Sequence, residues 1–214
     1  MKKLIIITSI LIMSLSSGLM AKTGFSLGLI IPIGASFSGF TGNDASSLKS
    51  DAGFEFGIHV QPAYYLGFQY LSLGLGLDLG YNRDAFAFKS AIDEKSKGGV
   101  TFDSLMIGVL PRIDIAFVSI GVGAGVKIPL AGSSYFRESD GGYQSQGYDY
   151  KKLKDNFKNP YIPYVKAVVD FLLPLNIVVG AYFSYDIPLI ETTNPTLNVK
   201  LSSFDLGAEI GLRF

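Results

Sequence analysis

The 214-residue chain contains no cysteine, which excludes structural disulfides, thiolate metal sites and a lipid-modified N-terminal cysteine. Neither sign of charge is in excess, since 18 Lys and Arg stand against 18 Asp and Glu. No strong field exists to recruit nucleic acid or anionic lipid, and nucleic acid is not expected as a partner. Histidine occurs once, at position 59. Beyond residue 21 no stretch approaches the ~18 uninterrupted apolar residues that mark a membrane-spanning helix. Yet 48% of the residues are hydrophobic, so the apolar content must be carried in some other pattern.

Residues 1–21 have the layout of a secretory signal: Lys2 and Lys3, an apolar stretch from Leu4 to about Leu15, and a region ending Leu19-Met20-Ala21. The apolar run is too short for a retained spanning anchor, which needs ~20 residues. Cleavage after Ala21 is expected, leaving a single domain over 22–214. The 18 basic residues less Lys2 and Lys3 then face 18 acidic ones, a formal charge of −2.

Past the signal the dominant pattern is alternation. Leu71, Leu73, Leu75, Leu77, Leu79 and Tyr81 alternate with Ser72, Gly74, Gly76, Asp78 and Gly80. Val118 to Ile128 and Phe204 to Phe214 repeat the pattern, and in the last of these Phe204, Leu206, Ala208, Ile210, Leu212 and Phe214 share one face. A period of two marks strands with one apolar face. Weaker runs over 25–33, 54–61, 104–115, 165–171 and 176–186 bring the number of predicted strands to eight. The first, third, fifth and seventh precede long polar stretches (about 35–52, 83–101, 129–160 and 188–199), whereas the others end in turns near Gly67, Ala116 and Pro174. Eleven residues at ~3.3 Å each, tilted by about 45°, rise roughly 25 Å, the height of an outer-membrane apolar band.

A terminal strand ending on Phe214 resembles the closing strand of outer-membrane β-barrels. The even strand count and the long and short connections extend that resemblance over residues 22–214, to the small barrels typified by outer-membrane proteins A, X and W. It implies an all-β, membrane-spanning, antiparallel up-and-down barrel in the outer membrane, with both termini in the periplasm. It also implies that Phe204, Leu206, Ile210, Leu212 and Phe214 form an assembly signal, with the barrel-assembly machinery and outer-membrane lipid as partners. The inverted alternative is a soluble eight-stranded barrel with its aliphatic face inward. That arrangement would put Gly74, Gly76, Gly80, Gly121, Gly123 and Gly125 on the solvent surface, whereas small residues suit the inside of a narrow barrel.

With the aliphatic face on lipid, the other face lines the lumen. Glu55, Asp78, Asp114, Asp170, Asp186, Asp205 and Glu209 then oppose Arg112, Lys127, Lys166 and Arg213, with His59, Gln61 and Tyr182 nearby. Buried charges persist when paired, which points to a salt-bridged plug; a polar pathway is the rival. His59 with Glu55 four residues earlier is also what a lipid hydrolase would need, but such an enzyme requires a Ser against the His with access to lipid. Gly121 to Lys127 lacks the Lys-Ser/Thr ending of a phosphate loop and lies inside a strand. No metal-ligand spacing is present, and no metal site, cofactor or catalytic residue is expected. The most distinctive exposed segment is 129–160, where Tyr135, Tyr143, Tyr148 and Tyr150 mix with charges, Gly and Ser as in recognition loops. The expected function is non-enzymatic: surface contact with an extracellular protein or ligand, or envelope integrity. The alternative is a narrow porin-like transport barrel.

Overall fold

The computed structural model describes residues 22–42, 45–193 and 199–214; the expected signal over 1–21 lies outside the described residues. Eight long strands make the wall: β1 (Gly24–Thr41), β2 (Ala52–Phe68), β3 (Leu71–Ser90), β4 (Lys97–Ile115), β5 (Val118–Arg137), β6 (Ile162–Leu172), β7 (Ile177–Thr192) and β8 (Lys200–Arg213). Each pairs antiparallel with its neighbours in sequence. The ring closes where β8 meets β1, from Gly28 opposite Arg213 to Thr41 opposite Lys200. Phe214 completes the seam, its N–H donating to the Leu27 carbonyl at 2.9 Å and its carbonyl accepting from the Leu27 N–H at 2.8 Å. Closure leaves the wall no open edge, which a membrane demands because unpaired backbone groups there cost several kcal/mol each.

The exterior of the lower wall is apolar. Phe25, Leu27, Leu29, Ile31 and Ile33 on β1, Leu73, Leu75 and Leu77 on β3, Leu105, Ile107 and Val109 on β4, and Phe204, Leu206, Ile210, Leu212 and Phe214 on β8 all face outward and exposed. A continuous belt of this chemistry matches a hydrocarbon layer and not water. The glycines of the alternating strands point inward, as closure of a narrow ring requires: Gly108 and Gly125 lie beneath the Tyr164 hydroxyl, Gly34 and Gly207 beneath Tyr182. The aliphatic-inward arrangement is therefore not the one adopted. Three hairpins turn through residues with positive φ: Gln69 (47°), Ala116 (52°), and Leu175 with Asn176 (64° and 63°). These turns, Lys22 and Phe214 share one end of the barrel.

At the other end the expected long loops are mostly strand. β3 and β5 each run 20 residues, roughly 45 Å of rise at ~3.3 Å per residue and about 45° of tilt, nearly twice the apolar band. The stretch 83–101 reduces to a connection over 91–96, and 129–137 continues β5. The polar stretches looked like loops because the outward apolar pattern stops where the belt stops, while backbone pairing continues above it. In β5 the alternation also changes phase. Asp103 and Ser104 of β4 are neighbours, but their partners Ala131 and Pro129 are separated by the extra residue Leu130. Such a bulge moves every later side chain to the opposite face.

Candidate functional site: a sealed lumen and a crown

The lumen is filled by two tiers of ion pairs. Nearer the turn end, Arg213 donates to Asp170 at 3.0 Å and lies 3.7 Å from Asp114. Arg112 also donates to Asp170, reaches Gln61 at 2.9 Å and lies 4.0 Å from Glu209. Lys166 links Glu209 at 3.3 Å to Asp78 at 3.4 Å, and Asp78 sits 3.3 Å from His59 Nδ1 and accepts from Gln61 at 3.0 Å. In the next tier Lys127 contacts Asp84 at 2.6 Å, Asp186 at 2.8 Å and Asp205 at 3.8 Å. Ser104 and Asn82 donate to Asp84, Ser203 donates to Asp186, and Tyr182 donates to Glu55.

All twelve residues expected to line the lumen are buried there. Sequence reasoning missed Asp84, which it left in the stretch 83–101. Its signal was the continued alternation Asn82, Asp84, Phe86, Phe88 beyond the apolar belt. Among the described residues eight buried carboxylates face four buried cations, so each cation serves two or more acids. Two voids in the lumen hold about 10 Å³ each, one between the tiers, bounded by Glu55, His59, Lys127, Tyr164 and Lys166, the other beside the turn-end tier, bounded by Gln61, Tyr65, Arg112 and Arg213. That is barely room for a water molecule.

His59 is inside, at 2% exposure, with a carboxylate beside it and no hydrogen bond to a serine among the described residues. Its place in the lumen denies it the lipid access that hydrolysis of a membrane lipid requires.

Above the tiers the chemistry changes. Phe86, Phe102, Leu153, Phe157, Ile162, Ile190, Val199 and Leu201 form an apolar plug across the bore. Leu153 belongs to a short helix, α1 (Tyr150–Asn156), whose N-cap Asp149 accepts from the Lys152 N–H at 2.9 Å. The cap satisfies one orphan backbone donor and fixes the turn that drives Leu153 inward. Thr193 ties the last connection to the helix, its N–H donating to Asn156 O at 2.9 Å and its hydroxyl to Asp155 O at 2.7 Å. A ribbon strand, Tyr143–Asp149, pairs with the upper part of β5. We call the plug, ribbon, helix and strand tops the crown.

The four tyrosines expected in one contact loop are divided by this architecture. Tyr135 belongs to β5, Tyr143 and Tyr148 to the ribbon, and Tyr150 opens α1, with Lys154 4.6 Å from its ring centroid. Tyr143 is exposed, whereas Tyr148 packs edge-on to Phe157 and shares a 2.8 Å hydrogen bond with Ser134. Asp51 pins the rim by pairing with Lys89 at 2.9 Å and Lys97 at 3.1 Å. Partial burial works against its charge, but the two ammonium groups outweigh it and hold Asp51 below the ordinary carboxylate range.

No family model matches the chain, and no curated protein matches it in sequence. Among solved structures it is similar to Ail, the attachment invasion locus protein of Yersinia pestis, at 18% identity and TM-score 0.43, over 90% of this chain and 100% of that one. It is also similar to Neisserial surface protein A, at 13% and 0.44, over 90% and 98%. A third is the outer-membrane protease OmpT of Escherichia coli, at 7% and 0.41, over 89% and 96%. Ail has been solved with the heparin analogue sucrose octasulfate.

Proposed function

We propose that the chain is an outer-membrane surface protein without catalytic activity, exported by the signal over residues 1–21, whose crown makes contact with components outside the cell. The observation that carries this reading is the double closure of the bore, by ion pairs in the membrane half and by the Phe86–Phe102–Leu153 plug above it. A bore closed twice is suited to rigidity and not to passage, which leaves the crown as the part with specific chemistry. In this reading the apolar face of β8, from Phe204 to Phe214, is what the assembly machinery recognises, and deletion of Phe214 lowers insertion without stopping export.

The test has two parts. Purified, refolded protein in planar bilayers should show no unitary conductance. Replacing residues 138–156 by a short Gly/Ser linker should keep the barrel heat-modifiable on gels and abolish the cell-association or surface-binding phenotype that the intact protein confers. A steady conductance, or a phenotype that survives the linker, refutes the surface-contact reading in favour of transport or a purely structural role.

A further inference from the structure

The mouth of the barrel holds a cavity of about 470 Å³, within the roughly 300–1,000 Å³ range of small-molecule sites. The register explains its lining. One row across the sheet reads Gln144, Phe136, Gly98, Phe88, and the next reads Gln146, Ser134, Val100, Phe86. Phe86 belongs to the plug and Val100 packs against it, so both rows look into the mouth with the apolar plug as floor. Gly98 is required in the first row, because a Cβ there would meet the Phe88 ring. With no side chain at that point Phe88 lies across the gap, its other side held edge-on by Phe40 at 5.8 Å.

We propose that this cup binds the uncharged terminal sugar ring of a glycan. The proposal rests on the surface-contact reading above and names its ligand. Phe136 offers an aromatic ring against which the C–H face of a pyranose can lie, with Phe88 beside it in the lining. Gln144 and Gln146 are exposed and line the cavity. Each amide offers donors and an acceptor on one plane, the pattern that vicinal sugar hydroxyls satisfy in both directions. The Ser134 hydroxyl, bonded to that of Tyr148 at 2.8 Å, adds a polar group to the lining. A wholly apolar ligand would make no use of these polar groups. A polyanion would find no fixed positive charge among the residues that line the cavity itself.

The full-length mature protein, refolded in a phosphocholine detergent free of sugar head groups, should be tested by saturation-transfer NMR. The probes are maltose, lactose, cellobiose and N,N′-diacetylchitobiose, with sucrose octasulfate and an extended decapeptide as rivals. At least one neutral disaccharide should give transfer that Phe136→Ala and Gln146→Ala each weaken at least tenfold in affinity, with heat-modifiability unchanged. The proposal is overturned if no neutral sugar binds, if both variants bind as the parent does, or if only the sulfated sugar or the peptide binds. The peptide would point instead to strand addition on the free edge of the ribbon. If Phe136→Ala keeps the surface phenotype that the 138–156 linker abolishes, the sugar assignment fails while the surface-contact reading stands.

Discussion

The membrane half and the crown are built from the same strands but distribute their residues oppositely. Below, β3 turns Leu73, Leu75 and Leu77 outward and Asp78 inward; a few residues on, the same strand turns Phe86 inward. Below, β4 places Arg112 and Asp114 inside and Ile107 and Val109 outside, yet its upper end buries Phe102 in the plug. The surrounding medium accounts for the difference. Lipid covers apolar side chains at no cost, so the lower lumen receives the polar residues and must pair them. Water covers the crown, so its apolar residues gain by leaving the surface. The boundary between the two halves carries the irregularities: the phase change at Leu130, and the extra residues of β7 between Asp186 and Ile190 opposite Ser203 and Leu201.

The largest effect that can break this comparison is removal of a lumen cation. Lys127→Met should strand Asp84, Asp186 and Asp205, and Arg112→Met should leave Asp170 to Arg213 alone and Glu209 to Lys166 alone. Each is expected to cost on the order of 3 to 5 kcal/mol, read as a lower denaturant midpoint for the whole barrel in lipid vesicles. An unchanged midpoint would mean that the tiers are not structural. Next comes the plug. Leu153→Ala should cost about 2 to 5 kcal/mol, but locally: protease should cut faster near Lys151, Lys152 and Lys154 while the membrane half resists boiling-free gel dissociation as before. A global loss of the barrel would show that crown and membrane half are one cooperative unit.

The outer faces sharpen the contrast. Leu77→Arg on the lipid side is expected to cost about 2 to 4 kcal/mol if it lies near the bilayer midplane. Ile92→Arg, at a crown position 94% exposed, should change the same midpoint by less than ~0.5 kcal/mol. Equal costs would place Ile92 in lipid as well. The smallest expected effect is electrostatic. Because Asp51 has its folded pKa depressed, its pairing with Lys89 and Lys97 contributes fully above the unfolded carboxylate value of ~3.9 and is lost as pH falls through the lower folded value. Limited proteolysis of the rim should therefore be flat from neutral pH down to about pH 4 and rise only below it, and Asp51→Asn should show the low-pH rate throughout.

By itself the sequence determined the membrane half: the number of strands, which face of each meets lipid, and that Glu55, Asp78, Arg112, Lys127, Lys166 and Asp170 look inward. It could do so because a strand's side chains alternate strictly and one face was nearly pure Leu, Ile, Val and Phe over eleven residues. Which cation serves which acid was not legible, since Lys127 and Asp84 are neighbours only after the ring closes. Tertiary structure alone decided the crown. Its plug draws Phe86 from β3, Phe102 from β4, Leu153 and Phe157 from α1 and its C-cap, Ile190 from β7 and Leu201 from β8. None of these segments alternates cleanly there, because each supplies only one or two apolar residues to a shared centre. The bulge at Leu130 broke the period where β5 left the belt, and the seven-residue helix that carries Leu153 is too short to form without that packing. A period written for lipid reads itself out residue by residue, whereas a core assembled in water from distant contributors exists only once the chain has folded.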